Sequence, residues 1–119
     1  NCLFVALGGG LGAVGRYLLS LIAAPWSFPV MTLLTNFLGA VVIGAVAQAA
    51  GQLPMSKSAV LFLKTGLCGG FTTFSTFSLE TVELLEQGRW AAGGGYILAS
   101  VGLCLAGVLL GRALVWKIL

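Results

Sequence analysis

Residues 69–78, with the sequence GGFTTFSTFS, bring together groups that can act on a small ion. They comprise two glycines, five hydroxyl-bearing residues and three phenylalanines. Hydroxyls and free backbone amides can donate hydrogen bonds to an anion, and unwound backbone carbonyls can coordinate a small hard cation such as Na⁺. A phenylalanine ring carries the positive part of its quadrupole at its edge, which attracts an anion weakly. The segment therefore indicates ion binding without any charged side chain.

The same segment predicts a break in a helix. The three phenylalanines, Phe71, Phe74 and Phe77, recur every three residues and would share roughly one helical face. The glycine pair 69–70 and the threonine pair 72–73 are poor helix formers. At membrane depth a break is tolerated only where it is buried in protein or lines a wet cavity. The alternative, an unbroken helix whose phenylalanines only pack, fits the sequence about equally well.

Polar residues elsewhere in the apolar stretches are few, and each is a candidate. Asn36 can donate to an anion, or it can hold two helices together through its amide. Tyr96, Ser100 and Cys104 recur every four residues and form a semi-polar stripe on a helix. The three cysteines show no metal-type spacing and are expected to act as small apolar residues.

Two ionisable residues lie close to these candidates. Arg16 either reaches the membrane surface or lends positive potential to an entrance, and Glu80 either caps a helix or pairs with a base. Neither is expected at the centre of the membrane. Hydroxyls, an amide and ring edges suit passive passage of a small anion better than proton-coupled transport.

Composition places these residues in a membrane protein of one domain, residues 1–119. Of the 119 residues 59% are hydrophobic and 8% are charged, against about 25% charged residues in a typical soluble domain. The six basic residues are scattered singly, which argues against nucleic acid as a partner. Because the chain has no histidine and only three acids, hydrolytic triads, paired-carboxylate chemistry and histidine metal sites are excluded. An enzyme is not expected.

Four apolar stretches are long enough to cross a bilayer as helices, which takes roughly 20 residues each. They are residues 3–24, 30–50, 59–85 and 90–115. Short connections separate them, including a loop at 25–29 with Trp26 at the membrane interface and a tight turn at 86–89. An even number of spans puts both termini on one side. The basic residues show only a thin bias between the two sides, so the chain is expected to insert in both orientations.

Glycines at small-xxx-small spacing would let helices approach closely. Gly8 and Gly12 form one such pair, and Gly107 and Gly111 form another. Packing within the chain and packing between two copies both fit these pairs.

Three stretches resemble motifs of the Fluc (CrcB) family of fluoride channels. They are GLCGGFTTFSTFSLET at 66–81, TLLTNFLG at 32–39 and GAVGRY at 12–17. The first is long and specific, and the resemblance covers essentially the whole chain. It implies an all-α membrane protein with four transmembrane helices, a break in the third, and an antiparallel dual-topology homodimer in a bacterial plasma membrane. It also implies two separate pores that let cytoplasmic fluoride leave by passive electrodiffusion, which lowers toxic intracellular fluoride.

The resemblance also implies roles for single residues. It places Asn36, Phe74, Thr76, Phe77, Tyr96 and Ser100 along the fluoride pore. It places Arg16 at the vestibule, and it places the backbone carbonyls of Gly69 and Thr72 around a structural Na⁺ on the dimer axis that is not transported. In the family, a polar track on the fourth helix continues one turn after Ser100 with a hydroxyl residue, and this chain has Cys104 there. The resemblance therefore leaves the outer end of that polar track open. The implied partners are fluoride, a second copy of the chain and membrane lipid.

Two other functions fit a chain of this size. A small-multidrug-type antiporter driven by protons shares the four spans and the dual topology. Such antiporters are similar to one another in needing an acidic residue in the first span, and the first span of this chain has none. A membrane assembly subunit without transport would use Asn36 and the phenylalanines only for packing.

Overall fold

The computed structural model describes residues 1–22 and 27–119, and within these ranges every regular element is a helix. The elements are α1 (Cys2–Ser20), α2 (Val30–Gln52), α3 (Lys57–Val60), a π-helix (Leu61–Cys68), α4 (Gly69–Phe71), α5 (Phe74–Glu86) and α6 (Trp90–Ile118). The all-α prediction is therefore confirmed for the part of the chain that the structure describes.

In the part of the chain that the structure describes, three helices, α1, α2 and α6, are long and apolar enough to cross a membrane. The predicted spans 30–50 and 90–115 fall within α2 and α6. The predicted first span, 3–24, runs past the end of α1 at Ser20, and its last residues and the predicted interfacial Trp26 lie outside the described residues. The predicted third span, 59–85, is divided among α3, the π-helix, α4 and α5, so none of its parts is long enough by itself.

Two helix pairs make up most of the packing, with α2 along α6 and α1 along the π-helix and α4. Glycines make both approaches close. A Cβ atom on Gly8 or Gly12 would overlap a backbone carbonyl oxygen of the π-helix, and one on Gly44 or Gly111 would overlap a carbonyl oxygen of the facing helix. A Cβ atom on Gly107 would lie 3.2 Å from that of Ala40. Both predicted glycine pairs therefore lie in contacts within the chain, which supports the intramolecular alternative.

Substituting alanine for Gly12 is expected to destabilise the protein by about 1–3 kcal/mol, because the methyl group would force α1 away from rigid backbone. Gly10 is the matched control, because it lies in the same helix and a Cβ atom there meets nothing within 4 Å. The measurement is the thermal unfolding midpoint of both variants in detergent. Equal midpoints for Gly12→Ala and Gly10→Ala would contradict the close approach.

A tight turn joins α5 to α6 at the position predicted for it. Gly88 adopts a φ of 76°, which an L side chain rarely tolerates, and the amides of Gly88 and Arg89 donate to the carbonyls of Leu85 and Leu84, both at 3.0 Å. This is the Schellman arrangement of a helix end. It folds α6 back along α5, so that Phe77 and Tyr96 meet with ring centroids 5.0 Å apart.

The π-helix is an element that the sequence did not predict. Its eight residues, LFLKTGLC, carry no local signal that distinguishes them from an α-helix. A π-helix is wider than an α-helix and often lies beside a functional site. Here it leads directly into α4, after which the helix is interrupted before α5 begins.

Candidate functional site

The break lies at Thr72 and Thr73, between the end of α4 at Phe71 and the start of α5 at Phe74. Both threonines are extended, with φ and ψ of −85° and 157° for Thr72 and −148° and 115° for Thr73. The predicted break is confirmed, but the glycine pair does not form part of it. Gly69 and Gly70 remain helical, and Gly70 serves close packing instead, because a Cβ atom there would overlap the carbonyl oxygen of Gly9 in α1. The β-branched threonines, which favour extended backbone, form the break.

Asn36 of α2 binds the break through both ends of its amide. Its Nδ2 donates to the carbonyl oxygen of Thr73 at 3.1 Å, and its Oδ1 accepts from the amide of Thr73 at 2.8 Å. The Thr73 hydroxyl in turn caps α5 by accepting from the amide of Thr76 at 3.1 Å and donates to the Thr76 hydroxyl at 3.0 Å. Asn36 therefore holds the part-buried backbone N–H and C=O of Thr73 in place. This combines the two alternatives left open by the sequence, because Asn36 joins two helices and lies at the polar site.

These hydrogen bonds redirect two amides that an unbroken helix would use internally. In an α-helix the amide of Thr73 would donate to the carbonyl of Gly69, and the amide of Thr76 to that of Thr72. Here the first donates to Asn36 and the second to the Thr73 hydroxyl. The carbonyl oxygens of Gly69 and Thr72 thus lose their helical donors. These are the two carbonyls expected from the family resemblance to hold Na⁺.

Arg16 lies against the broken segment. Its Nε donates to the carbonyl oxygen of Gly70 at 3.2 Å, the residue just before the end of α4. It also lines a small cavity of about 70 Å³ together with Thr35, Thr73 and Thr76. The side chain therefore satisfies a carbonyl that the break leaves without its amide partner. This contact could not be predicted from sequence patterns.

A groove of about 350 Å³ runs from the break to the middle of α6. It is lined by Asn36, Thr72, Thr73, Phe74, Phe77, Ser100, Val101, Cys104 and Leu105. Four of the predicted pore residues thus meet at one cavity, although three different helices supply them. The other two lie beside it: Thr76 lines the small cavity with Arg16, and Tyr96 is fully buried in the core.

The two phenylalanines of the groove differ in their surroundings. Their ring centroids are 5.4 Å apart with a tilt of 50°. Phe77 is 8% exposed and packs in the core with Leu84 and Tyr96, whereas Phe74 is 78% exposed. The groove is therefore walled on the Phe77 side and open on the Phe74 side.

Tyr96 pairs with Glu80, a contact that was missed in the sequence. The Tyr96 hydroxyl donates to Glu80 Oε1 at 3.0 Å, and its ring packs edge-on against Phe28 with centroids 5.3 Å apart. The two partners are 16 residues apart and meet only because the turn at Gly88 places α6 along α5. Among the described residues, Glu80 therefore follows neither of its two predicted roles: it lies inside α5 instead of capping it, and it accepts from a phenol instead of pairing with a base.

Ser100 carries an unpaired polar atom at the groove. The residue is 7% exposed, and its Oγ is buried without a hydrogen-bond partner among the described residues. Leaving a buried hydroxyl unpaired costs about 1–3 kcal/mol, so a ligand that accepts a hydrogen bond from it would relieve this cost. The groove thus offers neutral donors and ring edges, and no lysine, arginine or carboxylate of the described residues lines it.

Comparison with known proteins agrees with the motifs. The family model described as "CrcB-like protein, Camphor Resistance (CrcB)" matches residues 3–112. The chain belongs to the CrcB family. The family resemblance noted in the sequence is thereby confirmed.

Curated relatives of this CrcB chain carry the name "Fluoride-specific ion channel FluC". The protein of Ruminiclostridium cellulolyticum is 45% identical over 118 residues, which cover 96% of this chain and 91% of the relative. That of Roseiflexus sp. is 48% identical over 115 residues, covering 93% of each chain. That of Shewanella frigidimarina is 48% identical over 121 residues, covering 98% and 97%. Together with three apolar helices of sufficient length, this makes the CrcB chain a multi-pass membrane protein.

Proposed function

We propose that the chain is a fluoride-specific ion channel through which fluoride leaves the cytoplasm passively, down its electrochemical gradient. The observation that carries this proposal is the groove where Asn36, Phe74, Phe77 and Ser100 meet, which no charged side chain lines in residues 1–22 and 27–119. A channel must bind its ion strongly enough to admit it and weakly enough to release it. Neutral donors and ring edges meet that requirement, and the relatives named as fluoride channels cover nearly the whole chain.

Each residue of the proposed pathway has a physical role. Ser100 offers a hydroxyl that has no partner among the described residues, and the edges of Phe74 and Phe77 offer weak positive potential to an ion that has shed part of its water. Asn36 and Thr76 fix the backbone at Thr73, where the groove begins. Tyr96 holds Phe77 through ring contact and is itself held by Glu80. Arg16, beside the break, supplies positive potential to the vestibule.

The working unit in this proposal is an antiparallel homodimer with two pores. The segment from α3 to α5, third in chain order, also crosses the membrane. The total is then four crossings, which places both termini on one side. The exposed ring of Phe74 leaves the groove open in a single copy, and a second copy would close it. The glycine pairs are used within the chain, so the leucine-rich outer faces remain for the partner and for lipid.

A structural Na⁺ would join the two copies. The carbonyl oxygens of Gly69 and Thr72 fit such an ion, because both have lost the amide donors of a regular helix and hard cations prefer oxygen ligands. When bound, the ion would supply positive charge next to these carbonyl oxygens, in place of the amide donors that they have lost. In this proposal it holds the two broken segments together and is not transported.

The decisive experiment is fluoride efflux from liposomes that contain the pure protein. With a K⁺ ionophore to carry compensating charge, we expect fast fluoride efflux that does not depend on a pH gradient, and much slower chloride efflux. Protein-free liposomes set the background rate. Efflux that follows an imposed proton gradient would instead indicate a proton-coupled antiporter, and efflux at the background rate would indicate an assembly subunit without transport.

A further inference from the structure

A second groove, of about 460 Å³, lies between the start of α1 and the start of α3, and the proposed passage of fluoride does not use it. This α1–α3 groove is lined by Phe4, Leu7, Ser56, Ser58, Ala59, Phe62 and Leu63. Its two serines lie before and within α3, whereas Phe62 and Leu63 follow about one turn later in the π-helix. The α1–α3 groove therefore carries hydroxyl groups at its outer end and is apolar further in.

The directions of the helices place the outer end of this groove near one membrane surface. α1 and the π-helix run in the same direction, because Gly8 lies against Phe62 and Gly12 lies against Leu67. Only residues 53–56 separate the end of α2 from the start of α3. Since α1 and α2 are both long enough to cross a membrane, the groove opens where one span begins and the next ends, which is the depth of lipid headgroups.

The charge at this end of the molecule is positive. Lys57 is exposed and lies in the sequence between the two serines of the groove. Because the turn at Gly88 folds α6 back along α5, Lys117 in the last turn of α6 lies at the same end. The acids of the chain all lie on α5 toward the opposite end: Glu80, Glu83 and Glu86. An anion at the α1–α3 groove would therefore meet lysine and no competing carboxylate of the described residues.

We propose that the α1–α3 groove is a binding site for one phospholipid with an anionic headgroup, such as phosphatidylglycerol, and that Lys57 selects this headgroup. The order of the groove, basic and hydroxyl-bearing outside and apolar inside, matches the order of a phospholipid. The headgroup would accept hydrogen bonds from Lys57 and from the serine hydroxyls. The Ser56 hydroxyl already accepts from the amide of Ala59 at 3.1 Å, which leaves its own proton for donation.

Selection in this site has to come from the headgroup. An acyl chain gains little by leaving the bilayer for the groove, because both surroundings are apolar. The stretch from Ser56 to Leu63 is roughly 10 Å long, enough to orient the first part of one chain. A lysine near the surface, by contrast, attracts an anionic headgroup and does not distinguish a zwitterionic one in this way. The proposal stands independently of fluoride conduction, since bound lipid is measured directly.

The test counts phospholipid bound to the full chain in detergent by native mass spectrometry. The unaltered protein, Lys57→Gln and Lys117→Gln are titrated with phosphatidylglycerol and, separately, with phosphatidylcholine of the same acyl chains. We expect the unaltered protein to retain one phosphatidylglycerol per chain in preference to phosphatidylcholine. Lys57→Gln should weaken phosphatidylglycerol binding about fivefold and leave phosphatidylcholine binding unchanged. Lys117→Gln is the matched control, because it removes the same charge at the same end outside the groove, and it should bind both lipids normally.

A third variant, Ala59→Phe, fills the groove and should lower the retention of both lipids. A second copy of the chain is the other occupant to distinguish, so dimer content is measured by cross-linking in the same samples. Fewer dimers in Ala59→Phe with unchanged lipid binding would mean that a second copy covers the groove, which overturns the proposal. If Ala59→Phe does not fold, the two lysine variants decide alone, since both side chains are exposed.

Two further results would overturn the proposal. Equal weakening of phosphatidylglycerol binding in Lys57→Gln and Lys117→Gln would indicate attraction to the charged surface without a site. Equal retention of phosphatidylglycerol and phosphatidylcholine by the unaltered protein would indicate ordinary contact with the bilayer.

Discussion

Replacing Phe74 by isoleucine is expected to lower fluoride efflux by about tenfold or more, which corresponds to about 1.4 kcal/mol at the barrier. Isoleucine keeps apolar bulk but has no positive ring edge to meet the anion. Because the ring is 78% exposed, its loss should change the stability of the single chain little. The measurement is the initial efflux rate from liposomes, with the dimer content checked by cross-linking.

Phe4→Ile is the matched control, since Phe4 is a half-exposed ring on α1 that lines a different cavity. It should leave efflux unchanged. The equivalent change at Phe77 is less clean, because Phe77 is 8% exposed and packs against Tyr96, so part of its effect would be lost stability. Efflux at the normal rate from Phe74→Ile liposomes would rule out the ring-edge mechanism at that position.

Replacing Asn36 by leucine is expected to remove the dependence of the protein on Na⁺ and to stop fluoride efflux. Leucine has a similar size but cannot form a hydrogen bond with the backbone amide or the carbonyl oxygen of Thr73. The Thr73 amide would then be free to donate to the carbonyl of Gly69, which is the regular helical bond and removes a proposed sodium ligand. Leaving the Thr73 groups unpaired instead would cost about 1–3 kcal/mol each.

Thermal unfolding in Na⁺ and in a large organic cation is the measurement for Asn36→Leu. The unaltered protein should unfold at a higher temperature in Na⁺, and the variant should show no difference between the two salts. Thr35→Val is the control, because Thr35 precedes Asn36 on α2 and makes no hydrogen bond to Thr73 in the described structure. If Na⁺ still raised the unfolding temperature of the Asn36→Leu variant, Na⁺ binding would not depend on the break that Asn36 maintains.

The break was predictable because it rests on local chemistry. Adjacent threonines and a nearby glycine pair weaken a helix whatever surrounds it. The exact site of the break was not predictable, since it depends on α1: Gly70 must stay helical to pack against Gly9, and that contact joins residues far apart in the sequence. The π-helix before it escaped prediction for a related reason, because the sequence carries no periodicity by which to recognise it.

The residues of the candidate site could likewise be predicted from the sequence, whereas several of their contacts could not. Asn36, Phe74, Phe77 and Ser100 stood out because each is polar or aromatic in an unusual place, and the structure brings them to one groove. The pairing of Glu80 with Tyr96 could not be found by spacing, since it depends on how the turn at Gly88 sets α6 against α5. The bond from Arg16 to Gly70 likewise spans 54 positions of the chain.

Among the described residues, two side chains from outside the segment 69–73 bind its backbone, Arg16 of α1 and Asn36 of α2. Both precede the segment in the chain. Because the chain is synthesised from its amino terminus, Arg16 and Asn36 leave the ribosome before Thr72 and Thr73 do. The order of the elements along the chain therefore suits assembly in lipid, where unwound backbone groups need partners, because both partners are made before those groups.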